Sequence, residues 1–287
     1  MALDQEFDLE DLQRKTQVEA KEMSFLDHID ELRWHLIRMM IAILIFTGLA
    51  FVYKDILFDQ IIFGPKRPDF WTYRALCDLG QWIYSDDRLC ISDFGFKITN
   101  ITMSGQFTAH IFISLMAGIV LAFPYILWEI WRFIKPALHQ KEKSKTQGVV
   151  FYGTLLFLTG ILFGYYLLSP ISVNFMGAYQ VSNEVENYIS LDSYLSFVTS
   201  LTFGSGLLFE LPLAIFFLAK MGIISAEFMR KYRSWALIII LVIAAVVTPP
   251  DVASQILMTI PIYGLYEIGI WIAQRVENKR EAENKTS

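Results

Sequence analysis

The sequence lacks the usual marks of an enzyme. There is no G-x-x-x-x-G-K-[ST] phosphate loop, no H-E-x-x-H or G-x-S-x-G arrangement and no Ser/His/Asp grouping, so nothing in it reads as catalysis. The 4 histidines, His28, His35, His110 and His139, have no metal-ligand spacing with cysteines or carboxylates, so packing at an interface is their reading and no cofactor is expected. Internal repeats and low-complexity tracts are missing. The first twenty-odd residues are acidic and polar, without the short apolar run and small-residue site of a cleavable leader, so none is expected. A basic excess is missing too: the formal charge of -5 argues against nucleic acid as a partner. Cysteine is scarce, with 2 in the whole chain.

What is present is apolar. The chain of 287 residues is 54% hydrophobic and 15% aromatic, with a mean hydropathy of +0.42. These values describe an all-α polytopic membrane protein rather than a soluble domain. Six runs approach the roughly 20 residues that a spanning helix needs: about Arg33–Tyr53, Gly105–Trp128, Val149–Leu168, Tyr194–Ala219, Trp235–Val247 and Val252–Ile272. The fourth is interrupted by Gly204, Gly206, Glu210 and Pro212, and the sixth by Pro261. The fifth is short, roughly 20 Å against a hydrocarbon core of roughly 30 Å. Residues 1–22 read as a mobile acidic tail, 23–273 as the membrane domain and 274–287 as a charged tail.

Basic residues set the orientation. With the N-terminus inside, 18 of the 24 lysines and arginines fall on inner segments. The other six lie in one outer loop, 54–100, and the remaining outer connections carry none. The positive-inside rule then places both termini in the cytoplasm. The outer loop also holds Cys77 and Cys90, on the oxidising side, where either a disulfide or two buried thiols fits.

Several polar residues stand out. Before the first span, Ser24 and Asp27 have the spacing of a capping box. At roughly 100° per residue, Asp27, His28, Glu31, Trp34, His35 and Arg38 share one side of that helix, with Arg33 nearly opposite. A carboxylate there, about one turn from lipid headgroups, is well placed to catch a cation. Solvated first-turn acids are the plainer alternative. Glu210, about sixteen residues into the fourth span, costs about 3 kcal/mol on the insertion scale and must face protein or water. It reads either as a functional polar contact or as a protonated acid bonded to Ser205 or to backbone loosened by Pro212. Asp251, after Thr248-Pro249-Pro250, is placed to cap the sixth helix. Glu142, among Lys141, Lys143 and Lys145, reads alone as a solvated charge.

Four motifs together resemble the TatC family, the receptor component of the twin-arginine protein translocase. They are Ser24-Phe-Leu-x-His28-x-x-Glu31-Leu-Arg33; Phe133-Ile-x-Pro136-Ala-Leu-x-x-x-Glu142; Tyr194-Leu-Ser-Phe197 running to Phe209-Glu210-Leu-Pro212; and Thr248-Pro-Pro-Asp251-x-x-Ser254-Gln255, continuing to Glu267. The resemblance implies a curved, glove-like bundle of six transmembrane helices with the last two short, in a bacterial inner membrane. It implies a non-enzymatic function: binding twin-arginine signal peptides of folded cargo, with export driven by the proton gradient. Glu31 and Glu142 match the acids that take the arginines, with His28, Arg33, Phe133 and Pro136 beside them; guanidinium–carboxylate pairing is strong and often bidentate. Glu210 would lie in the concave face. Helices around Thr248, Asp251 and Gln255 would dock single-span TatA/TatB-type partners, and other TatC copies and lipid complete the partners. Trp34-His35 departs from the family's second basic residue after Glu-Leu-Arg, and His139 from its common Tyr. A secondary transporter using Glu210 would call for inverted repeats, and an intramembrane hydrolase for a nucleophile–base pair; neither is evident.

Overall fold

A backbone in lipid has no water to bond, so each apolar segment must satisfy its amides within a helix. The structure, a computed structural model, follows that rule; it describes residues 25–84, 90, 96–134, 146–182, 184–248 and 251–285. Five described helical segments are long and apolar enough to cross a membrane: Asp30–Val52, Gly105–Ile134, Gly148–Ala178, Leu191–Lys220 and Val252–Ala282. The helices themselves are α1 (Phe25–Val52), α2 (Trp71–Tyr84), α3 (Gly105–Ile134), α4 (Thr146–Phe163), α5 (Ser169–Ala178), α6 (Leu191–Phe209), α7 (Leu211–Lys220), α8 (Ala226–Lys231), α9 (Arg233–Val247) and α10 (Val252–Lys285). The apolar α9 has 15 residues, about 22 Å at 1.5 Å per residue.

α1 and α3 pack antiparallel from His35 to Phe51. His35 meets Glu129 at one end. Thr47 faces Gly118 in the middle. At the other end the His110 ring stacks on Phe51, 3.8 Å between centroids, and its Nε2 donates to the Phe51 carbonyl at 3.1 Å. Gly118 is what lets the backbones approach so closely: a Cβ there would lie 2.7 Å from the Thr47 nitrogen. Small residues serve the same purpose between α4 and α6. A Cβ on Gly160 would lie 2.7 Å from the Ser205 carbonyl oxygen, and Ser205 Oγ donates back to the Gly160 carbonyl at 2.7 Å. Without a hydrophobic driving force between helices in lipid, close approach and interhelical hydrogen bonds supply the cohesion.

The residues between α1 and α3 form a structured cap on what we term the loop face. A π-helical turn (Ile56–Ile62) and a 3₁₀ turn (Gly64–Lys66) lead into α2. Cys77 on α2 and Cys90 form a disulfide, Cα atoms 4.3 Å apart. Closing so short a loop removes about 3 kcal/mol of unfolded-chain entropy in the chain-entropy model. A two-stranded parallel ribbon then ties the cap to the rest: β1 (Phe96–Thr99) pairs with β2 (Asn187–Ser190), Phe96 opposite Asn187. Buried hydroxyls reinforce it. Tyr73 Oη lies 2.7 Å from the Pro65 carbonyl and 2.9 Å from that of Pro170, and Tyr194 donates to the Ile62 carbonyl at 3.0 Å. Burial pushes the Tyr73 hydroxyl above the ordinary tyrosine value. The cap borders a cavity of about 890 Å³ that holds Lys54, Asp55, Lys66, Arg67, Asn100 and His110. Lys66, stacked over Phe96 at 5.6 Å, is lowered from the ordinary lysine value by burial.

The last helix corrects an expectation. Rather than ending near Ile272 as a short span, α10 runs 34 residues, from Val252 to Lys285. The polar continuation is rich in Glu, Lys, Arg and Ala, which favour helix, and it docks on α8. In the continuation, Glu277 Oε1 accepts from the Ala226 amide at 2.9 Å; nearer the span, Tyr266 donates to the Met229 carbonyl of α8 at 2.8 Å and Glu267 pairs with Arg233, at the start of α9, at 2.8 Å. Pro261 does not break the helix.

The Gly118 approach can be tested directly. A valine there gains only about 0.3–0.5 kcal/mol of helix propensity over glycine. It meets Thr47 backbone that cannot swing aside, an overpacking cost of about 1–3 kcal/mol. Gly118→Val should therefore lower the melting temperature of the detergent-solubilised protein, while an unchanged or higher value would show that α1 can move away.

Candidate functional site

The face carrying the start of α1 and the end of α3, here the terminal face, concentrates polar side chains at one end of the α1–α3 seam. Glu31, His35 and Arg38 stand four and three residues apart on α1, so they share one stripe. Tyr125, Glu129 and Phe133, four apart on α3, form the facing stripe. His35 and Glu129 are both buried, and His35 Nδ1 donates to Glu129 Oε2. Tyr125 donates to Glu129 Oε1 at 2.9 Å. The Arg38 guanidinium, half-exposed, reaches to 3.7 Å from Oε2. The Phe133 ring meets the His35 ring edge-on, 5.9 Å between centroids. Among the described residues, Glu31 Oε2 is a buried oxygen with no hydrogen-bond partner. Arg33 is exposed, as its position opposite that stripe predicts.

Glu31 and Phe133 thus come to neighbouring turns through His35. Glu142 and Pro136 lie outside the described residues, as do the His28 side chain, the 1–22 tail and the Ser24 cap. Glu129 was missed by sequence reasoning, although a signal was there: it is the only carboxylate between Gly105 and Ile134.

Glu210 occupies a break in the fourth long segment. α6 ends and α7 begins at this residue, with Pro212 in the first turn of α7 and the Glu210 amide turned to the Leu207 carbonyl at 3.1 Å. Both carboxylate oxygens are buried with no hydrogen-bond partner among the described residues. The hydroxyl proposed as one alternative, Ser205, instead donates to the Gly160 and Thr202 carbonyls, at 2.7 and 2.9 Å. The carboxylate faces α4 where that helix has no side chain: a Cβ on Gly153 would stand 3.5 Å from Glu210 Oε2, beside Leu127 and Leu213. Toward the loop face, α1, α3, α4 and α6 border an apolar groove of about 470 Å³ lined by Leu49, Ile113, Val120, Ile161, Tyr165 and Phe203.

The α9–α10 hairpin is closed by its own polar residues. Asp251 Oδ1 caps α10 by accepting from the Ser254 amide at 2.6 Å, leaving Oδ2 buried without a partner. Thr248 Oγ1 donates to the Ala244 carbonyl at 2.8 Å, and Gln255 Nε2 to the Leu241 carbonyl at 3.1 Å. The outer side of α9 stays apolar and exposed through Ile238, Ile239, Val242 and Val246. No group of three or more potential metal ligands occurs among the described residues.

Long apolar helices, a capped loop face and three acids with buried, unpartnered oxygens among the described residues describe a polytopic membrane protein. Comparison with known proteins makes this specific. The family model for the Sec-independent protein translocase protein TatC matches residues 27–261. The TatC of Blattabacterium sp. subsp. Periplaneta americana is 37% identical over 263 residues, covering 91% of this chain and 99% of that protein. TatCy of Bacillus subtilis is 32% identical over 266 residues, covering 93% and 94%. A crystal structure described as the twin arginine translocase receptor TatC in DDM superposes with a TM-score of 0.67 at 32% identity, over 86% of this chain and 99% of that one. The chain belongs to the TatC family, and is a protein-translocase component rather than an enzyme.

A carboxyl group buried without a partner costs stability, about 1–3 kcal/mol on mutational scales. Glu210→Leu, which fills a similar volume, should therefore raise the melting temperature in detergent. A lower one would mean that the carboxylate is anchored by groups the bundle needs.

Proposed function

We propose that this chain is the receptor of a twin-arginine translocase. It binds the paired arginines of a folded protein's signal peptide at the terminal face and recruits single-span TatA- and TatB-type partners. In this reading six helices span a bacterial cytoplasmic membrane, the short α9 included, with both termini in the cytoplasm. Support for the orientation comes from the 18 basic residues on the terminal side. Export would draw on the proton gradient, in keeping with a sequence that has no nucleotide-binding loop.

The observation that carries the reading is Glu31, whose Oε2 is buried and unpaired at the mouth of the α1–α3 seam. A carboxylate held there has acceptor capacity to spare, and an arginine from outside would fill it with a charge-assisted, bidentate pair. Glu142, with Pro136 on the following segment, would supply the acid for the second arginine. His28, Arg33 and Phe133 would frame the site. Glu210 would contact the inserted peptide or a partner helix within the bundle, which accounts for keeping a costly acid there. Thr248, Asp251 and Gln255 would belong to the hairpin on which partner helices dock.

Binding of a fluorescent Arg-Arg signal peptide to the purified protein tests this. Hydrogen bonds to charged groups contribute about 1.5–3 kcal/mol, so Glu31→Ala and Glu142→Ala should each weaken binding by about tenfold or more, and a Lys-Lys peptide should bind less well. Unchanged affinity in both variants would overturn the assignment.

A further inference from the structure

Glu129 is a fully buried acid to which the receptor reading gives no task. It does not meet a ligand directly, because both its oxygens are engaged, one by His35 and the other by Tyr125, and Arg38 stands at the open side. What it does fix is rotation. His35 is held by two successive turns of one α3 stripe, by the Glu129 carboxylate and by the Phe133 ring. One turn along the same stripe of α1 lies Glu31, whose Oε2 has no partner of its own to orient it. Midway along the seam, Gly118 pins Thr47 backbone to backbone. With the Gly118 contact as one anchor and His35–Glu129 as the other, the turn bearing Glu31 has little freedom to rotate about the α1 axis. This chain carries Trp34-His35 after Glu-Leu-Arg, so the anchor is built from a histidine and an acid.

We propose that Glu129 is a positioning residue for arginine recognition: through His35 it sets the rotation of α1, so that the free oxygen of Glu31 faces the end of α3, where the incoming guanidinium binds. The inference rests on the receptor reading above. It is separable from mere cohesion, because replacing a buried ion pair by apolar residues of similar volume is often neutral or stabilising, whereas removing one partner is not. Two leucines would keep the seam packed while giving up the directional bond that sets the angle.

The test compares the parent, His35→Leu/Glu129→Leu, Glu31→Ala and the triple variant, using melting temperature in detergent and affinity for a fluorescent Arg-Arg peptide. The double variant should melt at or above the parental temperature yet bind the peptide about tenfold more weakly, the scale of one charge-assisted hydrogen bond. Because the effect passes through Glu31, the triple variant should bind no worse than Glu31→Ala alone, a non-additivity that general loosening would not produce. Should the double variant misfold, Glu129→Gln, which keeps an acceptor for His35, is expected to stay within about threefold of the parent while Glu129→Ala falls about tenfold. Parental affinity in the double variant, or in Glu129→Ala where that is the pair measured, with Glu31→Ala still weakened, overturns the positioning role and leaves the receptor reading intact. No loss in Glu31→Ala itself overturns both.

Discussion

An acid placed inside an apolar helical bundle must be matched, or else held at a cost that something repays. This constraint sorts the carboxylates of the chain. Glu129 is matched on both oxygens, by His35 and Tyr125. Glu267 is matched by Arg233, and Glu277 by the amide that opens α8. These acids join one helix to the next, and their chemistry is consumed in doing so. Glu31 and Glu210 differ: among the described residues one buried oxygen of Glu31 and both of Glu210 have no hydrogen-bond partner, as is true of the second oxygen of the capping Asp251. In the receptor reading proposed above, such an unmatched acid is one that would take its partner from outside. Glu210 lies where the fourth long segment breaks, and Glu31 lies toward the terminal end of the α1–α3 seam.

The seam between α1 and α3 shows how these roles depend on packing. A glycine in mid-span brings the backbones together, and the ring stack of Phe51 on His110 fixes the loop end. The seam is then closed at the terminal end by one hydrogen-bonded pair rather than by apolar contact alone. Apolar side chains in lipid offer little angular selectivity, since lipid tails are as good a neighbour as another leucine. A directional bond is what distinguishes one rotation of α1 from the next. The cap at the other end adds a disulfide and the paired strands β1 and β2, so the loop face is held by covalent and backbone bonds.

Much of this was legible in the sequence, and the reasons differ by element. Long apolar runs announce spanning helices because length and hydropathy are local properties. The short fifth run was visible for the same reason, and Asp251 after two prolines has the local chemistry of a cap. Non-local facts were harder to see. That Glu129 is buried against His35 needs the antiparallel register of two helices 94 residues apart in sequence, and nothing local carries it. The pairing of Cys77 with Cys90 was one of two readings until distance decided it. The last helix outran its expected end because its apolar stretch stops near Ile272 while its helix-forming residues do not, and hydropathy measures only the first.

The α9–α10 hairpin carries the same logic to a surface. Fifteen residues cannot fill the thickness that neighbouring helices span, so lipid or a partner must accommodate the difference. Thr248 and Gln255 turn their polar groups onto α9 carbonyls, and Asp251 gives one oxygen to the first turn of α10. Their bonds hold the hairpin closed and leave its outer side to Ile238, Ile239, Val242 and Val246. A single-span helix docking there would meet a smooth apolar face whose angle is set from within. In that arrangement the polar residues would govern docking through the shape of the hairpin. Asp251 Oδ2 is buried in the hairpin with no hydrogen-bond partner among the described residues.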